Sequence, residues 1–384
     1  MTRLFETPSV DELRRRGSAK WTAFPGAIGA FVAETDFGLA PVIQEVLRDA
    51  IADGRLGYLP QSVVRDLQLA TAGFVEDRYG WSVPPEHVRP VGDVLTGLDV
   101  FLKQWTDLAR PAIVPTPAYM PFLRLPQAVG KPIVEVPSPV VDGRYELDLD
   151  GIAAAFEAGA DTLILCNPWN PTGRVLTREE LLAVAEVVSA HGGRVYSDEI
   201  HAPIVFPGHS HVPYASVSEA AAAHTVTAVS ASKAFNLPGL KCAQLLFTSD
   251  DDAERWDRQA GFAAHGAGIL GVLANTAAYT DGGPWLDQVL AYLDEGRRLV
   301  ERRLAERLPQ VGFRAPEGTY IGWLDVTALD LGEQASTAVV ERTGVALTDG
   351  LACGAAGAGH LRLIMATPHP VLDEIVDRLA GAYA

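Results

Sequence analysis

Cysteine is scarce. Cys166, Cys242 and Cys353 are the only three in 384 residues, and no two stand at CxxC or other metal-ligating spacing. That argues against a disulfide framework and a metal site, and suits a reducing compartment. Basic residues are outnumbered, 31 Lys and Arg against 48 Asp and Glu, for a formal charge of −17. Nucleic acid and anionic membranes, which call for clustered Lys and Arg, are therefore poor partners. No apolar run is long enough to span a bilayer. The opening stretch MTRLFETPSVDELRRRG lacks the apolar core of a secretory leader. Low-complexity segments and repeats of fixed period are missing as well. What remains, 48% hydrophobic and 21% charged, is an ordinary globular composition, expected to be soluble and cytoplasmic and long enough for two domains.

The first 40 or so residues are punctuated by Phe24-Pro25-Gly26 and Phe37-Gly38 and read as an arm lying on something else. Pro41 opens a helix that stops near Gly54, and a second amphipathic helix spans about 62–79. From Val91 onward short apolar runs alternate with helical patterns, the signature of an α/β sandwich. Candidate strands are 112–114, 133–136, 162–166, 193–197, 225–229 and 244–248. The clearest helix, 178–191, starts at Thr177 with Glu180 completing a capping box. Strands this continuously apolar belong to a sheet covered on both faces, where ligands bind at the carboxyl ends of the strands. After Asp250 the pattern changes to a long helix from about 284 to 308 and shorter elements, among them 318–325 and 360–366. The expected division is 1–45 as arm and part of a small domain, 46–283 as a large α/β domain, and 284–384 as a smaller α+β domain.

The chemistry centres on SASKAFNLPGLKC, residues 230–242. Lys233 follows the apolar run 225–229, so it is held at the mouth of a buried strand. Burial disfavours its charged form and makes it a nucleophilic amine able to form a Schiff base with a carbonyl. Ser230 and Ser232 are expected to turn their hydroxyls the same way, and Lys241 adds a positive charge. Together they equip the site for an aldehyde joined to a phosphate. The plain alternative is a surface lysine in a polar loop.

Five further stretches converge on Lys233. Asp198 closes the strand 193–197, where a carboxylate is costly unless paired, and its natural partner is a protonated heteroaromatic nitrogen; otherwise it serves as an N-cap for the next segment of chain. CNPWNPTGR, residues 166–174, forms a rigid turn in which Asn170 can offer its amide to a ligand oxygen. The loop 93–97 precedes a helix running to about Trp105, and its backbone N–H groups at Val94 and Leu95 suit a phosphate. Tyr119 follows the strand 112–114 and can lie flat against a planar ring or fill the core. Arg362 lies inside HLRLIMA, where a guanidinium wants a carboxylate, either a substrate's or that of a buried salt bridge.

In order and spacing these pieces resemble the pyridoxal-phosphate enzymes of the aspartate-aminotransferase fold, fold type I, from about Trp21 to the C-terminus. Within that fold the chain is most similar to the cystathionine β-lyase group of the MalY/PatB type. The carrying stretches are FVAETDF, SDEIHAPIVFPGHSHVP, SKAFNLPGLKCA, LGVLANTAAYTDGGPWLDQVLAYL and PEGTYIGWLD. In DEIH, His201 stands where typical aminotransferases carry tyrosine. The resemblance implies a mostly parallel seven-stranded sheet and pyridoxal 5'-phosphate held through Lys233, which is also the catalytic base. It implies Asp198 on the pyridine nitrogen, Asn170 on the phenolic oxygen, and Tyr119 and His201 against the cofactor. It assigns the phosphate to Val94, Leu95, Ser230, Ser232, Lys241 and Tyr58 of the neighbouring subunit of a homodimer, and the substrate carboxylate to Arg362 and Asn170. The implied reaction is α,β-elimination from an L-cysteine thioether to thiol, pyruvate and ammonia. The alternatives are an aminotransferase, which shares the first steps, and a regulatory protein on the same fold. Departures at Glu34-Thr35, at Trp169 and in GLACGAAGAGH fall near the expected substrate entrance.

Overall fold

The computed structural model describes residue 5 and residues 8–384. Residues 1–4, 6 and 7 of the expected arm lie outside the described residues.

Seven strands form the central sheet: β1 (Val88–Val91), β2 (Ala112–Thr116), β3 (Ile133–Pro137), β4 (Thr162–Cys166), β5 (Arg194–Asp198), β6 (Thr225–Val229) and β7 (Ala243–Phe247). Their order across the sheet is β1-β7-β6-β5-β4-β2-β3. β7 runs antiparallel to both neighbours, and the other pairings are parallel. Alternate side chains enter two separate cores. Ile113, Leu163, Leu165 and Val195 pack on one face, and Ala112, Val114, Ile164 and Tyr196 on the other. This is why the strands read as unbroken apolar runs.

β1 escaped the sequence pattern because VRPV carries a proline and an arginine in four residues. It is an edge strand paired with β7 alone, where the missing N–H of Pro90 costs no ladder bond. The helix expected to follow a loop at 93–97 in fact begins at Val94, with Asp93 as its N-cap accepting from the Thr96 amide. The expected capping box at Thr177 and Glu180 is present on helix Arg178–Ala190.

A second sheet of four antiparallel strands, Gly312–Phe313, Ile321–Asp325, Thr348–Asp349 and His360–Ile364, packs with the 25-residue helix Gly283–Arg307 and the C-terminal helix His369–Tyr383. The N-terminal stretch is more ordered than a punctuated arm. Ser9 and Glu12 form a capping box on helix Val10–Arg16. Ile28–Gly29 then pairs in parallel with Val345–Ala346. Leu13, Trp21 and Ile28 share an apolar cluster with Val300, Leu324, Leu363 and Ile375. Gly29 permits this approach, since a Cβ there would stand 1.8 Å from the Lys20 carbonyl oxygen.

Candidate active site

Five segments arrive at one edge of the large sheet: Gly92-Asp93 after β1, Tyr119 after β2, Cys166 ending β4, Asp198 ending β5, and Ser230 to Lys233 after β6. Because β7 is antiparallel, its leading residues Lys241 to Ala243 reach the same edge. These residues, with Ala33, Val94, Leu95, Asn170, Ile200 and His201, surround a cavity of about 200 Å³.

Lys233 lies at its centre. Its Nζ donates to the Ala33 carbonyl at 2.7 Å, and among the described residues no carboxylate pairs with it. Burial, reinforced by the positive charge of Arg362 and opposed by Asp198 and Glu34, pulls its pKa down to about 8. Asp198 is 2% exposed, and its Oδ1 accepts from the Ile200 amide at 3.0 Å. Burial pushes its carboxyl up to about 7, against the Ile200 bond and the charge of Lys233. The cap reading of Asp198 thus holds for a two-residue turn, while no cation pairs with it among the described residues. His201 is buried with Nδ1 unpartnered, and burial followed by the charges of Lys233 and Arg362 holds it neutral. Tyr119 lines the cavity edge-on to Phe122, its hydroxyl raised by burial and by Asp198.

Arg362 settles its own alternative: no salt bridge involves it among the described residues. Its guanidinium donates to Asn170 Oδ1 at 3.2 Å, the Phe31 carbonyl at 2.9 Å and Thr348 Oγ1 at 3.3 Å, and Nε is left without a partner. Asn170 Oδ1 is thus engaged, which leaves its amide N–H₂ as the donor available to a ligand. Gly173 at φ +73 lets this turn close against Pro316, since a Cβ would stand 2.3 Å from the Pro316 Cβ.

At the other end Val94 and Leu95 begin a helix whose free amides face the cavity. Lys241 Nζ sits 2.9 Å from Asp93 Oδ2. Ser230 departs from expectation: its hydroxyl donates to the Cys242 carbonyl at 2.7 Å and accepts from the Ser232 amide at 3.0 Å, so it ties the turn together. Tyr58 is not brought to the cavity of its own chain. It is 97% exposed, in a surface groove of about 890 Å³ shared with Leu56, Leu59 and Gln61.

The carbonyls of Phe31 and Ala33, and Tyr320, whose hydroxyl donates to the Ala33 carbonyl at 3.2 Å, had no signal in the sequence. A backbone oxygen carries none. Trp169 is buried and donates through Nε1 to the Pro117 carbonyl at 3.0 Å, a packing role behind the Asn170 turn.

The donor set fits pyridoxal phosphate: a buried amine for an aldehyde, a helix N-terminus and Lys241 for a phosphate, and Asp198 for a ring nitrogen. The unpartnered Nδ1 of His201 shows a buried polar wall that the protein itself leaves unsatisfied. Among the described residues no group of three metal-ligating side chains occurs, and no helix is long and apolar enough to cross a membrane.

The family model of aminotransferase class I and II matches residues 30–379. The chain is 36% identical to the cystathionine β-lyase of Corynebacterium glutamicum over 377 residues, 97% of this chain and 99% of that protein. It is 33% identical over 362 residues to the cystathionine β-lyase PatB of Bacillus subtilis, 93% of this chain and 92% of that one. The PLP-bound C–S lyase of Staphylococcus hominis superposes with a TM-score of 0.89 at 26% identity, covering 98% of this chain and 99% of the other.

Proposed function

Because the chain belongs to the aminotransferase class I and II family, we propose that it is a pyridoxal-phosphate-dependent carbon–sulfur β-lyase. Its substrate is an L-cysteine thioether, and with one water the products are a thiol, pyruvate and ammonia. The observation that carries the cofactor reading is that Lys233 and Asp198 line one cavity and Arg362 bonds Asn170 in its wall, three ionisable groups withdrawn from solvent that have no ion-pair partner among the described residues. Likeness to β-lyases along nearly the whole chain supports the choice of elimination.

When bound, pyridoxal phosphate supplies the electron sink that lets the α-proton of an amino acid leave. The protein supplies the rest. Lys233, held near pH 8 by burial, takes the α-proton, a role worth roughly 10² to 10⁴ in rate. Arg362 grips the substrate carboxylate, helped by the Asn170 amide, and so orients the α C–H bond toward the lysine. Asp198 keeps a proton on the ring nitrogen. His201 and Tyr119 pack the ring, and Val94, Leu95, Ser232 and Lys241 hold the phosphate, with Ser230 bracing Ser232 rather than donating its own hydroxyl. To free Lys233 and Arg362 for ligands, the carbonyls of Ala33 and Phe31 must give up their bonds.

The working form is a homodimer in the cytoplasm, with 46–283 as the cofactor domain and 284–384, joined by 1–45, as the smaller one. Tyr58, fully presented to solvent by its own chain, completes the phosphate site of the partner. Mixing Lys233→Ala with Tyr58→Ala chains tests this. Hybrid dimers regain activity if Tyr58 serves the other subunit and stay inactive if it does not.

The reaction is tested by mixing the purified protein with L-cystathionine in the absence of any keto acid. Equal amounts of pyruvate, ammonia and thiol are expected. No product without a keto acid, together with amino transfer when one is added, would make it an aminotransferase.

A further inference from the structure

Directly after Asp198 the chain buries a second carboxylate. Glu199 is 1% exposed, and alternation along the strand places it on the opposite face of the sheet from Asp198, the side of Val195 and Ser197. One of its oxygens accepts from Ser197 Oγ at 2.8 Å and the Tyr214 amide at 2.9 Å. The other lies 2.9 Å from His211 Nε2, which must therefore carry the proton. His211 Nδ1 is buried without a partner, and its ring meets Tyr79, whose hydroxyl is also unpartnered, edge-on at 4.9 Å. A charged imidazole would strand a buried N–H at that position. The geometry therefore favours a neutral ring and leaves the Glu199 charge uncancelled. Neither Glu199 nor His211 lines the cavity around Lys233.

The backbone couples the two acids. The Asn167 amide donates to the Asp198 carbonyl at 3.0 Å and the Glu199 amide to the Ala228 carbonyl at 2.9 Å, clamping the turn between β4 and β6. Lys233, Tyr119, Tyr196 and Cys166 are near enough to feel the charge of Asp198, and Tyr79 and Cys166 that of Glu199, which His211 and Tyr214 contact directly. Only Lys233 among these brings a positive charge.

We propose that Glu199 is a positioning residue for Asp198: held by His211, it fixes the turn that aims Asp198 and sets a second negative charge behind it, so that the nitrogen of a pyridine ring facing Asp198 keeps its proton to higher pH. This rests on the cofactor placement proposed above. Across a strand end of low polarisability, one such charge moves a titration on the order of one pH unit.

The test is NMR of the holoenzyme loaded with pyridoxal phosphate isotopically labelled at the ring nitrogen, whose shift reports protonation, followed over the pH range in which the protein is folded. Glu199→Gln keeps the shape and removes the charge, and is expected to lower the nitrogen's titration by about one unit, with Glu199→Asp restoring it. His211→Leu strips Glu199 of a donor, drives it to take up a proton, and is expected to shift the titration the same way. An unchanged titration in Glu199→Gln, or in His211→Leu should the first variant not fold, overturns the proposal. Asp198→Asn is the control. If it too leaves the nitrogen unmoved, the ring does not face Asp198, and it is the cofactor placement that fails.

Discussion

Two sets of buried charges in this molecule are treated in opposite ways. In the scaffold the buried lysines have counterions: Lys20 Nζ lies 2.8 Å from Asp36, and Lys131 Nζ 2.6 Å from Asp161, with both lysines fully buried. At the cavity and its wall, Asp198 and Arg362 are buried and Lys233 is half-buried, yet they are satisfied only by carbonyls, an amide, a hydroxyl and a backbone N–H. Both arrangements cost desolvation, and only the first recovers it within the chain. Where several such charges without counterions meet at one cavity, the missing partner is a ligand.

The sharpest way to test this contrast is Lys233→Ala. If Lys233 is the proton-transferring amine, pyruvate release from L-cystathionine falls by at least about 10² to 10⁴, while urea unfolding shows little loss of stability. The reverse outcome is expected for the scaffold. Asp36→Asn removes the counterion of Lys20 and leaves one acceptor oxygen where two now serve Lys20 and the Trp21 indole N–H, at 2.8 and 2.7 Å, and should lower stability by about 3–5 kcal/mol. A midpoint in urea unchanged from the parent would break the comparison.

Next in size is a gain. Lys233 sits at about 8 in the folded chain against an ordinary 10.5. Below pH 8 both states hold the proton and the folded chain carries the full burial cost. Between 8 and 10.5 only the unfolded chain still binds it, so the cost fades as pH rises. In the cofactor-free protein Lys233→Met should therefore stabilise by up to about 3 kcal/mol at neutral pH, and hardly at all near the top of that window. Thermal melts at the two pH values check it, and equal gains at both would contradict it. Arg362→Lys loses the guanidinium fork and should cost roughly 10- to 10²-fold in kcat/KM, mostly through KM. The smallest effect belongs to an exposed pair. Lys103→Gln, which breaks the contact to Asp99 at 2.7 Å, should change stability by about 0.5 kcal/mol or less.

Much of this was legible along the chain. Apolar runs and caps marked six strands of the large sheet and its main helices, and each site residue except Arg362 and Tyr58 stood within a few residues of a strand end. The failures share a cause. β1 hid because an edge strand tolerates Pro90. The Ser230 hydroxyl pointed elsewhere because a serine after a strand bonds whichever backbone group the turn offers, here the Cys242 carbonyl. Glu199 drew no reading from the sequence, because its partner is a histidine twelve residues on that only the fold brings to it.

The residue types and their order determined the sheet, its burial on both faces, and the presence of an amine, an acid, an amide and a guanidinium for the chemistry, because periodicity and local capping are short-range properties. Only the tertiary structure decided which buried charges have partners. Lys20 and Lys233 are both lysines among apolar neighbours, and the difference between them is an aspartate sixteen residues away in one case and the Ala33 carbonyl, 200 residues away, in the other. Partnering depends on distances across the fold, and sequence spacing does not encode them.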